Sequence, residues 1–267
     1  MTTSTGLLSG GIPYLATGEG PPLVRVMGLS PTCEAPTGMD RRMELSVVKP
    51  LVRDFRVWTV NRKQGLRPGE SMSDIAGYLA SAIETDLGEP VFLTGTSTGG
   101  SVALQLAVDR PDLVRALVVV ASAYRLGPRG RQVQLDLAEQ TRAGDGPAAW
   151  AHMMTAMLPT ALQRPAFPLA KLLGGRMAPG DPTDLLVTLD AEDAFDVGDQ
   201  LDRITAPTLV IGGAKDVFYT RALFEETAAG VPDGRAHIYP DRGHGRVSTS
   251  SETSVLALGF LLAARHR

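Results

Sequence analysis

The stretch VFLTGTSTGGSVAL, residues 91–104, is the junction that most constrains the fold. A run of strand formers stops, Gly95, Gly99 and Gly100 crowd around Ser97, and an apolar helical pattern starts at once. A strand that feeds directly into a helix belongs to a layered α/β arrangement. Glycines at such a junction leave room where side chains would collide, so the turn is tight and Ser97 sits at its tip. That tip lies at the carboxyl edge of a sheet, where α/β proteins place their ligands. The helix that follows directs its free N–H groups, and the positive end of its dipole, to the same spot. Gly95-Thr96-Ser97-Thr98-Gly99 fits G-x-S-x-G. Neither G-x-x-x-x-G-K-[ST] nor G-x-G-x-x-G occurs at this turn, which argues against a phosphate loop.

The same alternation runs through most of the chain. Residues 7–16 read as a hairpin turning at Gly10-Gly11, followed by the loop GEGPP and the short strand LVRVMG (23–28). Residues 40–53 are helix-like and FRVWTV (55–60) is a strand. Ser71 or Ser73 caps a helix reaching about Leu87, with Ile75, Leu79 and Ile83 spaced four apart. After the serine turn come a helix from Thr98 to Val108, stopped by Pro111, and the strand RALVVVAS (115–122). The rhythm returns with PTLVIGG (207–213), a helix near 220–229, the strand RAHIYP (235–240) and a helix from about Ser250 to Ala264. Together these predict a mostly parallel central sheet flanked by helices.

Residues 124–203 break this rhythm and read as mostly helical. Pro147 suits a first helical turn, and Trp150, Met153, Met154, Met157 and Leu158 then share one helix face. Prolines and glycines make 159–182 irregular. The expected division is a core of residues 1–123 and 204–267 with a helical cap insertion at 124–203.

Composition narrows the function classes. With 267 residues, 43% of them hydrophobic, the chain can bury a substantial core. A net charge of −3 gives no electrostatic reason to expect nucleic acid or an anionic membrane as a partner. The single cysteine, Cys33, cannot form an internal disulfide. The apolar tail segment from Val255 to Ala264 is about half the length a bilayer requires. The N-terminus lacks a positive region followed by an apolar block. A cytoplasmic protein without membrane insertion is expected. No histidine or cysteine cluster has metal-ligand spacing, so neither a metal nor an organic cofactor is expected.

A serine hydroxyl is a poor nucleophile at neutral pH and needs a base, itself oriented by an acid. Of the four histidines, His152 sits among methionines in the helical segment, His237 inside a strand and His266 beside the terminus. His244, in the Gly-flanked loop DRGHGRV after the last strand, would hang beside the serine turn. The acid should also follow a strand end, as Asp216 does in IGGAKD. Asp241 reads as loop solvation, and Asp193 and Asp196 as surface residues.

GTSTG (95–99), GGAKD (212–216) and RGHG (242–245), in that order, resemble the α/β-hydrolase superfamily, as does YLATGEGPPLVRVMG (14–28) with its strand–loop–strand form. The resemblance spans nearly the whole chain, and the helical segment corresponds to the superfamily's cap. It implies an α/β-hydrolase fold, a catalytic triad of Ser97, His244 and Asp216, and a nucleophile elbow framed by Gly95 and Gly99. It also implies an oxyanion hole made by the backbone N–H groups of Thr98 and of Leu29, in the loop after LVRVMG. Where the family often has His-Gly-x, this chain has Met27-Gly28-Leu29, so the histidine is missing and the main-chain donor stays. Met27 and Cys33 read as packing residues, and Ser30 or Cys33 as residues able to shape the entrance.

The activity this implies is cleavage of a small-molecule carboxylic ester through an acyl-enzyme intermediate. Lactone, thioester or carbon–carbon bond hydrolysis and perhydrolase chemistry can use the same triad. A slow-turnover ligand receptor retaining the triad is a reading from a different class. Epoxide hydrolases and haloalkane dehalogenases resemble the chain less, because they carry an aspartate where Ser97 stands. The methionine-rich face at 150–158 either lines an apolar acyl pocket or packs the cap onto the core. Arg125, Arg129 and Arg131 read as a solvated face, the alternative being attraction of an acidic substrate.

Overall fold

The structure, a computed structural model, describes residues 3–265, so His266 lies outside the described residues. Eight strands form one sheet: β1 (Thr3–Leu8), β2 (Ile12–Thr17), β3 (Pro22–Val26), β4 (Arg56–Val60), β5 (Val91–Thr96), β6 (Val114–Val120), β7 (Thr208–Gly213) and β8 (Gly234–Tyr239). Their order is β1-β2-β4-β3-β5-β6-β7-β8. β1 and β2 make the expected hairpin, β2 runs antiparallel to β4, and the remaining pairs are parallel. Parallel neighbours bring the ends of β3, β5, β6, β7 and β8 to one edge, and the loops leaving that edge carry Leu29, Ser97, Asp216 and His244.

All six residues of β5 are buried, as a central strand covered on both faces requires. Successive side chains point to opposite faces and so build two core layers. Val24, Leu93, Leu117, Val119 and Val210 pack with α2 (Met72–Ala82), α3 (Thr98–Asp109) and α8 (Arg221–Gly230). Leu23, Phe92, Val118 and Ile211 pack with α1 (Gly38–Val48) and α10 (Ser251–Ala264). Ser71 caps α2 through a reciprocal box with Asp74, at 3.2 Å and 2.8 Å. The α-helix ends at Ala82, earlier than the sequence suggests, because Ile83–Leu87 widen into a π turn closed by Gly88.

Between β6 and β7 lie α4 (Pro128–Arg142), α5 (Gly146–Ala156), α6 (Thr160–Met177) and α7 (Thr183–Asp193). Leu137, Trp150, Leu185 and Leu189 give these helices a cluster of their own. The irregular stretch expected at 159–182 is instead largely helix α6, with Pro165 and Pro168 inside it. Proline removes the hydrogen bond to the carbonyl four residues earlier. Here those residues, Ala161 and Arg164, are exposed, so their carbonyls are open to solvent hydrogen bonding.

Two buried polar ties join the layers around the loops. Arg25 on β3 pairs with Glu44 on α1 (Nε–Oε2 3.0 Å) and donates from Nη1 to Thr96 Oγ1 on β5 (2.8 Å). Glu192, near the end of α7, accepts from Ser101 Oγ on α3 (2.7 Å) and more loosely from the Tyr219 hydroxyl (3.4 Å). Burial pushes the Glu192 carboxyl up to about 7, against the pull of its hydroxyl partners and Arg62.

Removing Glu44 strands a buried guanidinium. Glu44→Ala is expected to destabilise the fold by roughly 3–5 kcal/mol, read as a lowered denaturant midpoint; a change under about 1 kcal/mol would show that the pair contributes little. For Glu192 the folded pKa lies above the unfolded one, so folding takes up a proton, and stability falls as pH rises from about 4.5 to about 7. Glu192→Gln should gain stability relative to the parent between pH 5 and pH 8, on the order of 3 kcal/mol. Parallel melts across that range with a constant difference would refute it.

Candidate active site

The serine turn comes first, because its backbone sets everything around it. Ser97 sits at φ 54° and ψ −128°, a conformation that side-chain-bearing residues rarely adopt. Close packing on both sides holds it there. A Cβ on Gly95 would lie 2.1 Å from Gly99 O, and one on Gly99 would lie 2.3 Å from Met27 O on the neighbouring loop. Ser97 N–H donates to Val120 O (2.9 Å), tying the turn to β6. Of residues 91–100, Ser97 alone is not buried.

The structure brings Ser97, His244 and Asp216 together although 147 residues separate the first two. His244 Nε2 lies 3.0 Å from Ser97 Oγ, and Nδ1 lies 2.9 Å from Asp216 Oδ2. The Asp216 side chain is fully buried. Its Oδ1 accepts from the N–H groups of Phe218 (2.8 Å) and Tyr219 (3.2 Å). An ionised carboxylate only accepts, so Nδ1 carries the imidazole proton and Nε2 offers its lone pair to the serine hydroxyl. The Phe218 ring lies 4.6 Å from the imidazole, centroid to centroid, and the Tyr219 ring stacks at 6.1 Å. His244 is the first residue of a short helix, α9 (His244–Thr249), rather than a loop residue, with Gly243 in extended conformation before it.

Thr98 opens α3, so its N–H has no partner within the helix. Gly28 approaches the elbow closely: a Cβ there would lie 3.2 Å from Thr96 O and 3.4 Å from Ser97 Cβ. Leu29 is the next residue, and its side chain packs against the cluster of α4, α5 and α7. Of the two residues whose main-chain N–H groups were singled out in the sequence, Thr98 directly follows Ser97 and Leu29 directly follows the glycine packed against the elbow.

These groups open into a cavity of about 360 Å³. Met27, Met43, Met153, Met154, Met157 and Met177 line it, six of the nine methionines in the chain. Trp150 and Phe218 add aromatic walls, and Arg25 and Glu44 lie at its polar side. The 150–158 face therefore lines the cavity through Met157, while Leu158, past the end of α5, is exposed and outside it. Met27 faces the cavity as well, in place of the pure packing role read from sequence. Ser30 lines it too, whereas Cys33 is buried elsewhere and burial pushes its thiol up.

The other candidates lie apart. His152 bonds Gln140 on the exposed side of the helical segment, and His237 sits on the edge strand β8 against Tyr239. Asp241 is exposed. Asp193 pairs with Arg131 (2.6 Å) and Asp196 with Arg125 (3.7 Å), and none of Arg125, Arg129 and Arg131 lines the cavity. Among the described residues, no group of three or more His, Cys, Asp or Glu is arranged to hold a metal, and no helix is long and apolar enough to cross a membrane.

Sequence reading passed over Asn61 and Arg62. Both are buried at the end of β4, and their side chains bond the loop that carries Leu29. Their signal was positional: polar residues directly after the strand FRVWTV, at the same sheet edge as the serine turn.

Known proteins resemble this chain in sequence and in fold. A Klebsiella pneumoniae protein named "Putative carbamate hydrolase RutD" is 27% identical over 198 residues, 70% of this chain and 71% of the relative. A hydrolase from Pseudomonas aeruginosa PA01 superposes with a TM-score of 0.78 at 24% identity, covering 97% of this chain and 98% of that one. The enol-lactonase from Burkholderia xenovorans LB400 superposes with a TM-score of 0.77 at 20% identity, covering 97% and 100%. The profile described as "Alpha/beta hydrolase family" matches residues 39–255, from α1 into α10, and the chain belongs to that family.

Proposed function

We propose that the protein is a serine hydrolase that cleaves a carboxylic ester through an acyl-enzyme. The observation that carries this reading is the continuous hydrogen-bonded line from Ser97 Oγ through His244 to buried Asp216, opening into an apolar cavity. In the first half-reaction Ser97 Oγ attacks the ester carbon while His244 Nε2 takes the hydroxyl proton. Asp216 holds the imidazole in the required tautomer and stabilises the imidazolium as it forms. The carbonyl oxygen gains charge, which the N–H groups of Thr98 and Leu29 would meet. The tetrahedral intermediate then expels the alcohol, which leaves with the proton from His244. Water repeats the sequence on the acyl-enzyme and releases the acid.

The methionine lining supports an apolar acyl group of variable shape, because unbranched thioether chains adapt to what they contact. A second reading, a carbamate as substrate, is favoured by the name of the curated relatives. It needs the same attack on an acyl carbon.

Ser97→Ala should reduce hydrolysis of p-nitrophenyl esters by at least about 10⁴-fold while leaving the melting curve intact; retained turnover would remove the serine from the mechanism. A panel of esters graded in acyl length, with a lactone, a thioester and a carbamate of matched size, separates the readings by kcat/KM. An ester preference supports the first, and a carbamate preference replaces it with the second.

A further inference from the structure

We propose that Asn61, through its side-chain amide, holds the loop after β3 in the position at which the Leu29 N–H meets the developing oxyanion. The inference rests on the serine-hydrolase reading and assigns a positioning residue to it.

Besides the packing of Leu29 and Cys33, the loop has no main-chain ladder to hold it. Between Gly28 and Pro36 no main-chain N–H donates to a main-chain carbonyl. Side chains supply the missing bonds, and Asn61 supplies most of them. Its two Nδ2 hydrogens are shared among Glu34 O (2.9 Å), Ser30 Oγ (3.0 Å) and Thr32 O (3.1 Å). Ser30 Oγ in turn donates to Thr32 O (2.8 Å), and Arg62 Nη2 to Ser30 O (3.1 Å). One amide thus gathers three points of a short irregular segment into a fixed curve.

Asn61 is itself rigid, as a template must be. It is 4% exposed and directly follows β4, and its N–H donates to Pro13 O on β2 (3.1 Å). Its Oδ1 accepts from Arg62 N–H (2.9 Å), which leaves Nδ2 turned to the loop. The parallel pairing of Val26 with Val60 sets Asn61 beside the start of the loop. The curve it fixes matters because Gly28 already rests against Thr96 and Ser97, so a small rotation of the segment would carry the Leu29 N–H away from the serine. Misplacing a catalytic contact by about 1 Å can cost ~10²-fold in rate.

The test uses Asn61→Leu, which keeps the approximate size and removes every bond, with Ser30→Ala as the milder variant and Ser97→Ala in parallel. Three quantities are read: kcat and KM for p-nitrophenyl acetate, Ki for a trifluoromethyl ketone that forms a charged tetrahedral adduct on serine, and the melting temperature. For Asn61→Leu, kcat should fall by ~10²-fold, KM should stay within about threefold, and Ki should rise in step with the loss in kcat/KM. Ser30→Ala should move the same quantities in the same direction by a few-fold. A merely structural role would lower the melting temperature and the fraction of active molecules while leaving Ki unchanged, and that result overturns the proposal. So do a folded Asn61→Leu with kcat and Ki near the parent values, and a rise in KM alone. If Asn61→Leu does not fold, Ser30→Ala decides: parental kcat and Ki there overturn the proposal. Turnover surviving in Ser97→Ala removes the serine reading and this inference together. An inactive Ser97→Ala beside an unaffected Asn61→Leu removes this inference alone.

Discussion

The strained backbone of Ser97 is the constraint from which the rest of the site follows. A residue at φ 54° and ψ −128° is held only if its surroundings leave no easier conformation. The surroundings are β3, β5 and the start of α3, packed so closely that Gly95 and Gly99 have no space for a Cβ. Tight packing here does two things at once. It lifts the serine oxygen clear of the buried turn, and it brings the Met27–Leu29 loop into contact with the helix N-terminus. The candidate nucleophile and the segments that carry both candidate oxyanion donors are therefore products of one steric arrangement.

Around that rigid point the structure separates two electrical settings. On the side of the imidazole, Asp216 is buried and faces three donors, from Phe218, Tyr219 and His244. Three N–H groups thus meet its two oxygens where burial has removed water. Where α7 meets α3, Glu192 is also buried but with weaker provision, and its Oε2 has no partner. The two buried carboxyls thus differ in hydrogen-bond supply, and for Glu192 burial outweighs the pull of its hydroxyl partners. The second carboxyl joins α7 to the helix that begins at the serine, so the helical segment and the elbow share one buried polar link.

Much of this was legible in the chain. Strand runs, the G-x-S-x-G turn and the positions of Asp216 and His244 after strand ends announced the sheet and the line of three side chains, because hydrophobic period and glycine placement are local signals. What stayed hidden depends on distant neighbours. Helix α6 carries Pro165 and Pro168 on an exposed stretch, and local propensity says nothing of exposure. Asn61 looks like any polar residue after a strand until the fold sets it against Ser30, Thr32 and Glu34. That Met27 and the half-exposed Met43 border the cavity is likewise a product of tertiary packing, since neither belongs to a strong periodic face.

The methionine lining also ties the cavity to the redox state of its surroundings. Thioethers take up oxygen to become sulfoxides, which are polar and chiral where the parent groups were soft and apolar. With six such groups around one chamber, oxidation would rewrite its character while leaving hydroxyl, imidazole and carboxylate chemically untouched. Peroxide stress would therefore reach what the protein can hold before it reached what the protein can do, and reductases for sulfoxides would reverse it.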